Sequence, residues 1–128
     1  MPPRLLIVDD ERDNRDLFEL VLKLDGFVTA TASSGEEALA SVVDQRPDLI
    51  LLDVMMPGMN GYEVATKIKA QTATSDIPIL MITALDDREV RTLALQAGAV
   101  DVLAKPVDRV ELCRRVRAAL NDVRESCP

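Results

Sequence analysis

Histidine and tryptophan are absent from this chain of 128 residues, and aromatic side chains are scarce. Without histidine, the chain cannot use an imidazole as a general acid or base, build a Ser-His-Asp triad or bind zinc through histidine. The aromatic residues are Phe18, Phe27 and Tyr62, too few for the stacking platforms on which single-stranded nucleic acid binds. These absences argue against most hydrolytic and nucleic-acid-binding classes.

Cysteine is also rare, and no long apolar run is present. Cys113 and Cys127 have no second pair of cysteines with which to form a zinc or disulfide pattern. No segment has the layout of a signal peptide, and no apolar run approaches the roughly 18 residues of a membrane span. We therefore expect a reduced, soluble, cytoplasmic domain that does not bind a membrane.

The charge balance is acidic, with 15 basic and 22 acidic residues and a net charge of −7. This sign argues against direct binding of nucleic acid. The length suits one domain spanning residues 1–128, and the apolar fraction of 48% is typical of a globular protein. We expect a core over about residues 4–120. The polar segment 121–128 is either a natural tail or the stub of a linker.

Short apolar runs alternate with amphipathic stretches of helical length. The first amphipathic stretch covers Glu11–Leu24, where Leu17, Val21 and Leu24 have the spacing of one buried helix face. Alternation of this kind predicts parallel strands joined by crossover helices that cover both faces of the sheet. The five predicted strands are Arg4–Val8, Val28–Ala32, Leu49–Leu52, Ile79–Ile82 and Asp101–Ala104.

Four further helices are indicated by start signals in which a capping residue precedes a glutamate by three positions. The last predicted helix also places Leu112, Val116 and Leu120 on one face. The start signals are Ser34–Glu37, Asn60–Glu63, Asp86–Glu89 and Asp108–Glu111. Five strands and five helices are therefore predicted in strict alternation.

Polar residues follow the strands at the edge where an open α/β sheet forms its functional crevice. Carboxylates crowded at this edge repel each other unless one is protonated or a cation is bound. Oxygen ligands of this kind suit Mg²⁺, and a lysine there could neutralise one carboxylate. The residues are Asp9, Asp10 and Glu11 after the first strand, Asp53 after the third, Thr83 and Ala84 after the fourth, and Lys105 and Pro106 after the fifth.

Four motifs together resemble the receiver domain of two-component response regulators. They are Asp9-Asp10, the run Leu51–Gly61 around Asp53, Thr83-Ala84 and Lys105-Pro106. Asp53 lies 44 positions after Asp9, Thr83 follows 30 positions later, and Lys105 another 22. The resemblance implies a doubly wound, flavodoxin-like α/β receiver fold, with a five-stranded parallel sheet in the order 2-1-3-4-5 and five helices.

The resemblance also implies a role for each site residue. Asp53 would accept a phosphoryl group from a sensor histidine kinase or a histidine phosphotransfer protein. Asp10 would ligate Mg²⁺ directly and Asp9 through water, with Mn²⁺ as a substitute. The implied metal ligands are Asp9, Asp10, Asp53 and the backbone carbonyl of Met55. The implied phosphoryl-binding groups are Thr83, the backbone amide of Ala84 and Lys105, with Pro106 in a structural role.

Val102 departs from the family pattern, because relatives usually have Tyr or Phe three residues before the Lys-Pro pair. A β-branched side chain has few rotamers and no ring to swing. We therefore expect a phosphorylation signal to travel through residues Ala84–Asp87 and the start of the fourth helix. The expected protein is a switch that catalyses its own phosphorylation and dephosphorylation, not a turnover enzyme. Its expected contacts are a fused or separate output domain and a phosphorylation-dependent homodimer through the fourth helix, fifth strand and fifth helix.

Two other functions and several structural roles compete with this interpretation. A Mg²⁺-dependent phosphohydrolase with an aspartyl nucleophile typically has a second acid two residues later, where this chain has Met55. A flavodoxin-like cofactor binder needs a hydroxyl- or glycine-rich loop after the first strand, where this chain is acidic. Asp9 and Asp10 could instead cap the first helix, and Thr83 could be a structural strand-end residue.

Overall fold

The computed structural model describes residues 2–84 and 88–124, and within them all side chains up to residue 121. Strands and helices alternate along the chain, as predicted. The strands are β1 (Arg4–Val8), β2 (Val28–Ala32), β3 (Leu49–Asp53), β4 (Ile79–Thr83) and β5 (Asp101–Ala104). The helices are α1 (Arg12–Leu24), α2 (Gly35–Asp44), α3 (Gly61–Lys69), α4 (Arg88–Gln96) and α5 (Arg109–Arg124).

The strands form one parallel sheet in the order β2-β1-β3-β4-β5. This order confirms the predicted doubly wound fold. The order reverses between β1 and β3, the two central neighbours, where Val8 pairs with Leu52. The residues that follow β1 and β3 therefore meet at the switch point of the sheet, where ligands bind in folds of this type.

Both faces of the sheet are covered because the central strands are apolar on both sides. Every residue of β3 and β4 is buried. One core cluster joins a sheet face to α2, α3 and α4, and the other joins the opposite face to α1 and α5. Each fully buried leucine or isoleucine contributes about 1.5–3 kcal/mol of transfer free energy, so the strands that carry the site residues are held rigidly.

The buried face of α1 differs from the predicted one. Leu17 is 54% exposed and Leu24 is 74% exposed, whereas Phe18 and Leu22 are buried against the sheet. Of the predicted residues, only Val21 packs against this core, and it is half-buried. Both stripes have helical spacing, so periodicity alone does not distinguish them. The larger apolar area of Phe18 decides which stripe packs against the sheet.

The predicted start signals operate where the structure describes them. Asn60 and Glu63 form a complete capping box at the start of α3. Ser34 accepts a hydrogen bond from the amide of Glu37, but the Glu37 carboxylate bonds to Ser33 instead of closing the box. The Asp108 side chain accepts the amide of Glu111 at the start of α5. The predicted cap Asp86 lies outside the described residues.

None of the helices described is both long enough and apolar enough to cross a lipid bilayer. The longest, α5, has 16 residues. It places Leu112, Val116 and Leu120 in the core, as the sequence pattern predicts.

Candidate functional site

A cleft of about 630 Å³ opens at the carboxyl ends of the strands. β3 and β4 each extend one residue further than predicted, so Asp53 and Thr83 are the last residues of their strands. Asp9 lies beneath the cleft, while Thr83 and Val102 do not line it. The predicted site residues that line the cleft are Asp10, Asp53, Met55, Ala84, Lys105 and Pro106.

Three carboxylates meet at this edge of the sheet. One oxygen from each of Asp9, Asp10 and Asp53 lies within 4.8 Å of the other two. Asp9 and Asp53 are buried and Asp10 is exposed. An oxygen-only donor set with several negative charges fits a hard divalent cation such as Mg²⁺. The predicted acidic cluster is therefore present and has the chemistry of a metal site.

The Asp9 carboxylate is oriented by the turn that leads into α1. Its Oδ1 accepts the Glu11 amide at 2.9 Å, and its backbone carbonyl accepts Arg15 Nη1 at 2.8 Å. The Asp9 amide donates to the Ala32 carbonyl at 3.1 Å. These contacts leave Oδ2 directed towards Lys105, whose Nζ lies 3.5 Å away.

Lys105 is the cation of the cluster. Its Nζ lies 3.2 Å from Asp53 Oδ1 and 3.5 Å from Asp9 Oδ2. Its backbone amide donates to the Thr83 carbonyl at 2.8 Å, which ties the end of β5 to the end of β4. The peptide bond between Lys105 and Pro106 is cis. One ammonium group thus faces two buried carboxylates across the cleft.

The Asp53 carboxylate is in an unfavourable environment for a charged group. Its Oδ1 is buried and accepts no well-directed hydrogen bond from the described residues. Burial and the negative charge of Asp9 raise the pKa of Asp53 to about 6, although Lys105 opposes this shift. Burial disfavours the charged form of Lys105, but Asp53 and Asp9 outweigh it and raise the pKa of the lysine. An added cation would relieve the excess negative charge.

Thr83, Ala84 and Val102 differ in their access to solvent. Thr83 is fully buried at the end of β4, and Ala84 is exposed on the wall of the cleft. Val102 is packed in the core between the sheet and α4. Its backbone carbonyl accepts Arg91 Nη2 from α4 at 3.4 Å. The Val102 side chain therefore occupies a fixed core position, and its backbone contacts α4.

Gly61, the last residue of the motif around Asp53, makes a close backbone contact that the motif does not reveal. A Cβ atom there would lie 2.5 Å from the Asp53 carbonyl oxygen and 2.8 Å from Val54 Cα. The Gly61 amide donates to the Val54 carbonyl at 2.9 Å. This close approach needs glycine and fixes the backbone that carries Asp53. In the sequence, the two glycines at positions 58 and 61 indicate only a turn, and they do not reveal this contact.

The start of α1 also lines the cleft, and of its residues the sequence placed only Glu11 at this edge of the sheet. Glu11, Asn14 and Leu17 form one wall, and Asn14 Nδ2 donates to Glu11 Oε1 at 2.9 Å. Because α1 begins two residues after Asp10, its first turns must face the carboxylates. The short separation between Asp10 and α1 in the sequence could have predicted this wall of the cleft.

Known proteins resemble this chain over nearly its full length. A family model described as the response regulator receiver domain matches residues 5–117. Response regulator PleD of Caulobacter vibrioides is 47% identical over 118 residues, which are 92% of this chain and 26% of PleD. DNA-binding response regulator MtrA of Mycobacterium tuberculosis is 43% identical over 120 residues, 94% of this chain and 51% of MtrA. The chain thus spans about a quarter to a half of these relatives.

Solved structures show the same architecture. A putative response regulator from Chloroflexus aurantiacus superposes with a TM-score of 0.90 at 40% identity, covering 94% of this chain and 98% of that one. Chemotaxis protein CheY4 of Vibrio cholerae gives a TM-score of 0.89 at 31% identity, covering 93% and 99%. The fold, the acidic cluster and these matches agree, and the chain belongs to the response regulator receiver domain family.

Proposed function

We propose that the chain accepts a phosphoryl group on Asp53 in a Mg²⁺-dependent reaction and acts as a phosphorylation-dependent signalling switch. The observation that carries this proposal is the buried Asp53 Oδ1, which has a lysine at 3.2 Å and accepts no well-directed hydrogen bond from the described residues. A carboxylate in this environment is available both as a ligand and as a nucleophile. Its elevated pKa of about 6 still leaves it mainly ionised at neutral pH.

The proposed metal ligands are the carboxylates of Asp10 and Asp53 and the backbone carbonyl of Met55, with Asp9 acting through water. When bound, Mg²⁺ would neutralise charge on the phosphoryl oxygens. Mn²⁺ has similar preferences and could replace it. The close approach of three carboxylates within 4.8 Å supports this assignment.

The chemical step needs few protein groups because phosphoryl transfer depends mainly on positioning and charge neutralisation. An Asp53 oxygen attacks the phosphorus atom of a phosphohistidine, the new oxygen–phosphorus bond forms, and the nitrogen–phosphorus bond breaks. Lys105 Nζ pairs with a phosphoryl oxygen, and the amide of Ala84 donates to another. Thr83 is fully buried and does not line the cleft, so its hydroxyl must turn towards the phosphoryl group to bind it.

The proposed phosphoryl donor is a sensor histidine kinase or a histidine phosphotransfer protein. Such a donor must bring its imidazole into the cleft, so it must contact the cleft walls. Leu17 lines one wall and is 54% exposed, which offers apolar area for this contact. Leu20 and Leu24, three and seven residues later on α1, are also exposed, at 57% and 74%, so Leu17 belongs to an apolar stripe that could contact a partner.

The output of the switch is proposed by analogy with the relatives. MtrA is named as a DNA-binding response regulator, so we propose a fused or separate output domain rather than direct nucleic-acid binding by this domain. A phosphorylation-dependent homodimer through α4, β5 and α5 is a further part of the proposal. On this face Arg115 pairs with Asp101 at 2.5 Å and with Glu111 at 2.7 Å. These charged side chains lie on β5 and α5, where a second copy of the domain could exchange ion pairs with them.

We propose that residues 1–128 are a single receiver domain with a core at about 4–120, and that it works in the cytoplasm. The sequence pattern assigned residues 121–128 to a tail or linker stub, but α5 continues through Arg124. The proposal of a tail therefore applies only to the residues after the end of α5. It is proposed to be a phosphoacceptor that catalyses its own phosphorylation and dephosphorylation, without other turnover.

Incubation with a small phosphoryl donor and Mg²⁺ tests the proposal. We expect one acid-stable, base-labile phosphoryl group per chain by intact mass, absent when Mg²⁺ is chelated. Asp53→Asn should abolish the label, and Asp44→Asn, at an exposed position on α2, should retain it. Labelling that persists in Asp53→Asn would refute the assignment, and multiple turnover of a phosphate ester would favour a phosphohydrolase instead.

A further inference from the structure

A second cleft lies between α2 and α3, at the opposite end of the sheet from the carboxylate cluster. We call it the α2–α3 groove; its volume is about 490 Å³, within the range of roughly 300–1,000 Å³ that is typical of small-molecule sites. The lining residues come from the end of α2, the end of α3 and the loops that lead into β3 and β4. The groove therefore lies at the amino ends of these strands, whereas Asp53 is at the carboxyl end of β3.

The walls of the α2–α3 groove are mainly apolar. Val42 and Ile68 are buried and belong to the core, and Leu39 packs against them. Val43 also lines the groove and is 82% exposed. Covering this valine together with the apolar side chains beside it would remove apolar area from water, which is favourable.

The charged residues among the described groove lining are both cations, although the whole chain has a net charge of −7. Arg46 is anchored: it pairs with Asp76, and its Nε donates to the Ala73 carbonyl at 3.3 Å. Its charge is therefore largely balanced. Lys67 makes no ion pair within the part of the chain that the structure describes, because Glu63, one helical turn earlier, is turned back to the Asn60 amide at 2.9 Å. One uncompensated positive charge remains beside an apolar groove.

We propose that the α2–α3 groove binds a monoanionic amphiphile, specifically a free alkyl carboxylate of medium chain length. The alkyl chain packs against Leu39, Val42 and Ile68, and the carboxylate pairs with Lys67, with Arg46 as a second donor. A single net positive charge matches a monoanion, and the groove volume of about 490 Å³ leaves room for an alkyl chain of this length. An acidic amphipathic helix of a protein partner is the competing occupant.

Titration of the isotopically labelled protein with decanoate, followed by amide NMR shifts, tests this proposal. We expect saturable shifts confined to the ends of α2 and α3 and to residues 70–74. Octanoate should bind roughly tenfold more weakly, because two buried methylene groups are lost. An alkylammonium of equal length should bind at least three- to tenfold more weakly than decanoate, because its head group meets the positive charge of Lys67. Equal binding of the two head groups, or shifts centred on the exposed leucines of α1, would overturn the proposal.

Three variants sharpen the test. Lys67→Glu should weaken decanoate binding roughly three- to tenfold, whereas the matched reversal Lys23→Glu, on α1 and the opposite face, should leave it unchanged. Ala70→Leu, which fills the groove from an exposed position, should abolish binding. Equal effects of the two charge reversals would overturn the proposal, as would an acidic helical peptide that binds the groove when decanoate does not. Asp53→Asn should bind decanoate normally, which separates this site from the phosphoacceptor.

Discussion

Lys105 Nζ lies 3.2 Å from Asp53 Oδ1, an oxygen that accepts no well-directed hydrogen bond from the described residues. The two residues are 52 positions apart in the chain and come from the ends of β3 and β5. Their pairing holds a cation beside a buried carboxylate before any phosphoryl group arrives. The positive charge of Lys105 also balances one of the two negative charges that Asp9 and Asp53 place in the buried part of the site.

Removal of this cation should destabilise the protein. Lys105→Met leaves Asp53 and Asp9 without their counter-charge, so we expect a loss of about 1–3 kcal/mol in the free energy of unfolding at pH 7.5 without metal. Urea denaturation measures this loss. The same substitution in an Asp53→Asn background should cost clearly less, since one of the two buried carboxylates is gone. An equal cost in both backgrounds would show that the pair does not interact.

Asp53 itself should make the metal-free protein less stable as the pH rises. Its pKa is about 6 in the folded protein and about 4 in an unfolded chain, so the folded state binds the proton more tightly. Ionisation of Asp53 therefore lowers the free energy of unfolding progressively from about pH 4 to about pH 6. Above pH 6 the loss stays constant, at on the order of 2–3 kcal/mol. Asp53→Asn should be more stable than the parent at pH 7.5, and this advantage should shrink towards pH 4.

Urea titrations across this pH range, with metal chelated, measure the difference. Asp44→Asn serves as the control, because the exposed Asp44 is at the far end of α2. A stability difference between Asp53→Asn and the parent that stays constant from pH 4 to pH 7.5 would contradict the assigned pKa.

Mg²⁺ should stabilise the folded protein by mass action, since the carboxylate cluster exists only in the folded state. We expect the melting temperature to rise with Mg²⁺ concentration. Asp10→Ala should remove that rise, while Asp13→Ala, at an exposed acidic position on the first turn of α1, should keep it. A rise that persists in Asp10→Ala would move the ligand role to another residue.

Gly61→Ala should damage the site through the backbone. The new methyl group would meet the Asp53 carbonyl at 2.5 Å, so the loop must move, at a cost of about 2 kcal/mol or more in unfolding free energy. Gly58→Ala is the matched control: Gly58 has φ of 74° but nothing within 4 Å of an added Cβ, so it should cost only about 1 kcal/mol. Equal losses, with phosphorylation unchanged in Gly61→Ala, would contradict this role.

Phosphorylation should perturb α4 more than β5. Val102 is buried with a short side chain and cannot swing, so we expect larger amide changes at Thr83, Ala84 and residues 88–92 than around Val102. A comparison of free protein with a phosphoryl-mimic complex in Mg²⁺, by NMR or hydrogen exchange, measures them. Larger changes around Val102 on β5, with residues 88–92 unaffected, would contradict this route.

The sequence by itself determined the elements and the chemistry of the site. Apolar tetrads such as Leu49–Leu52 indicate strands buried on both faces, and the start signal Asn60–Glu63 marks a helix by local hydrogen bonding. Residues at strand ends, such as Asp53 and Lys105, converge in any parallel sheet. These features depend on local patterns and on one topological rule, and so they were readable without coordinates.

Tertiary structure decided the features that depend on contacts between distant segments. Phe18 and Leu22, rather than Leu17 and Leu24, face the core because both stripes have helical spacing and only packing against the sheet distinguishes them. The path of the backbone also sets the contact of Gly61 with the Asp53 carbonyl and the position of Asp53 Oδ1 beside Lys105. It likewise places Lys67 beside an apolar groove, where no described residue forms an ion pair with it. Distances of 3–5 Å between chain segments set these properties, and no sequence period encodes such distances.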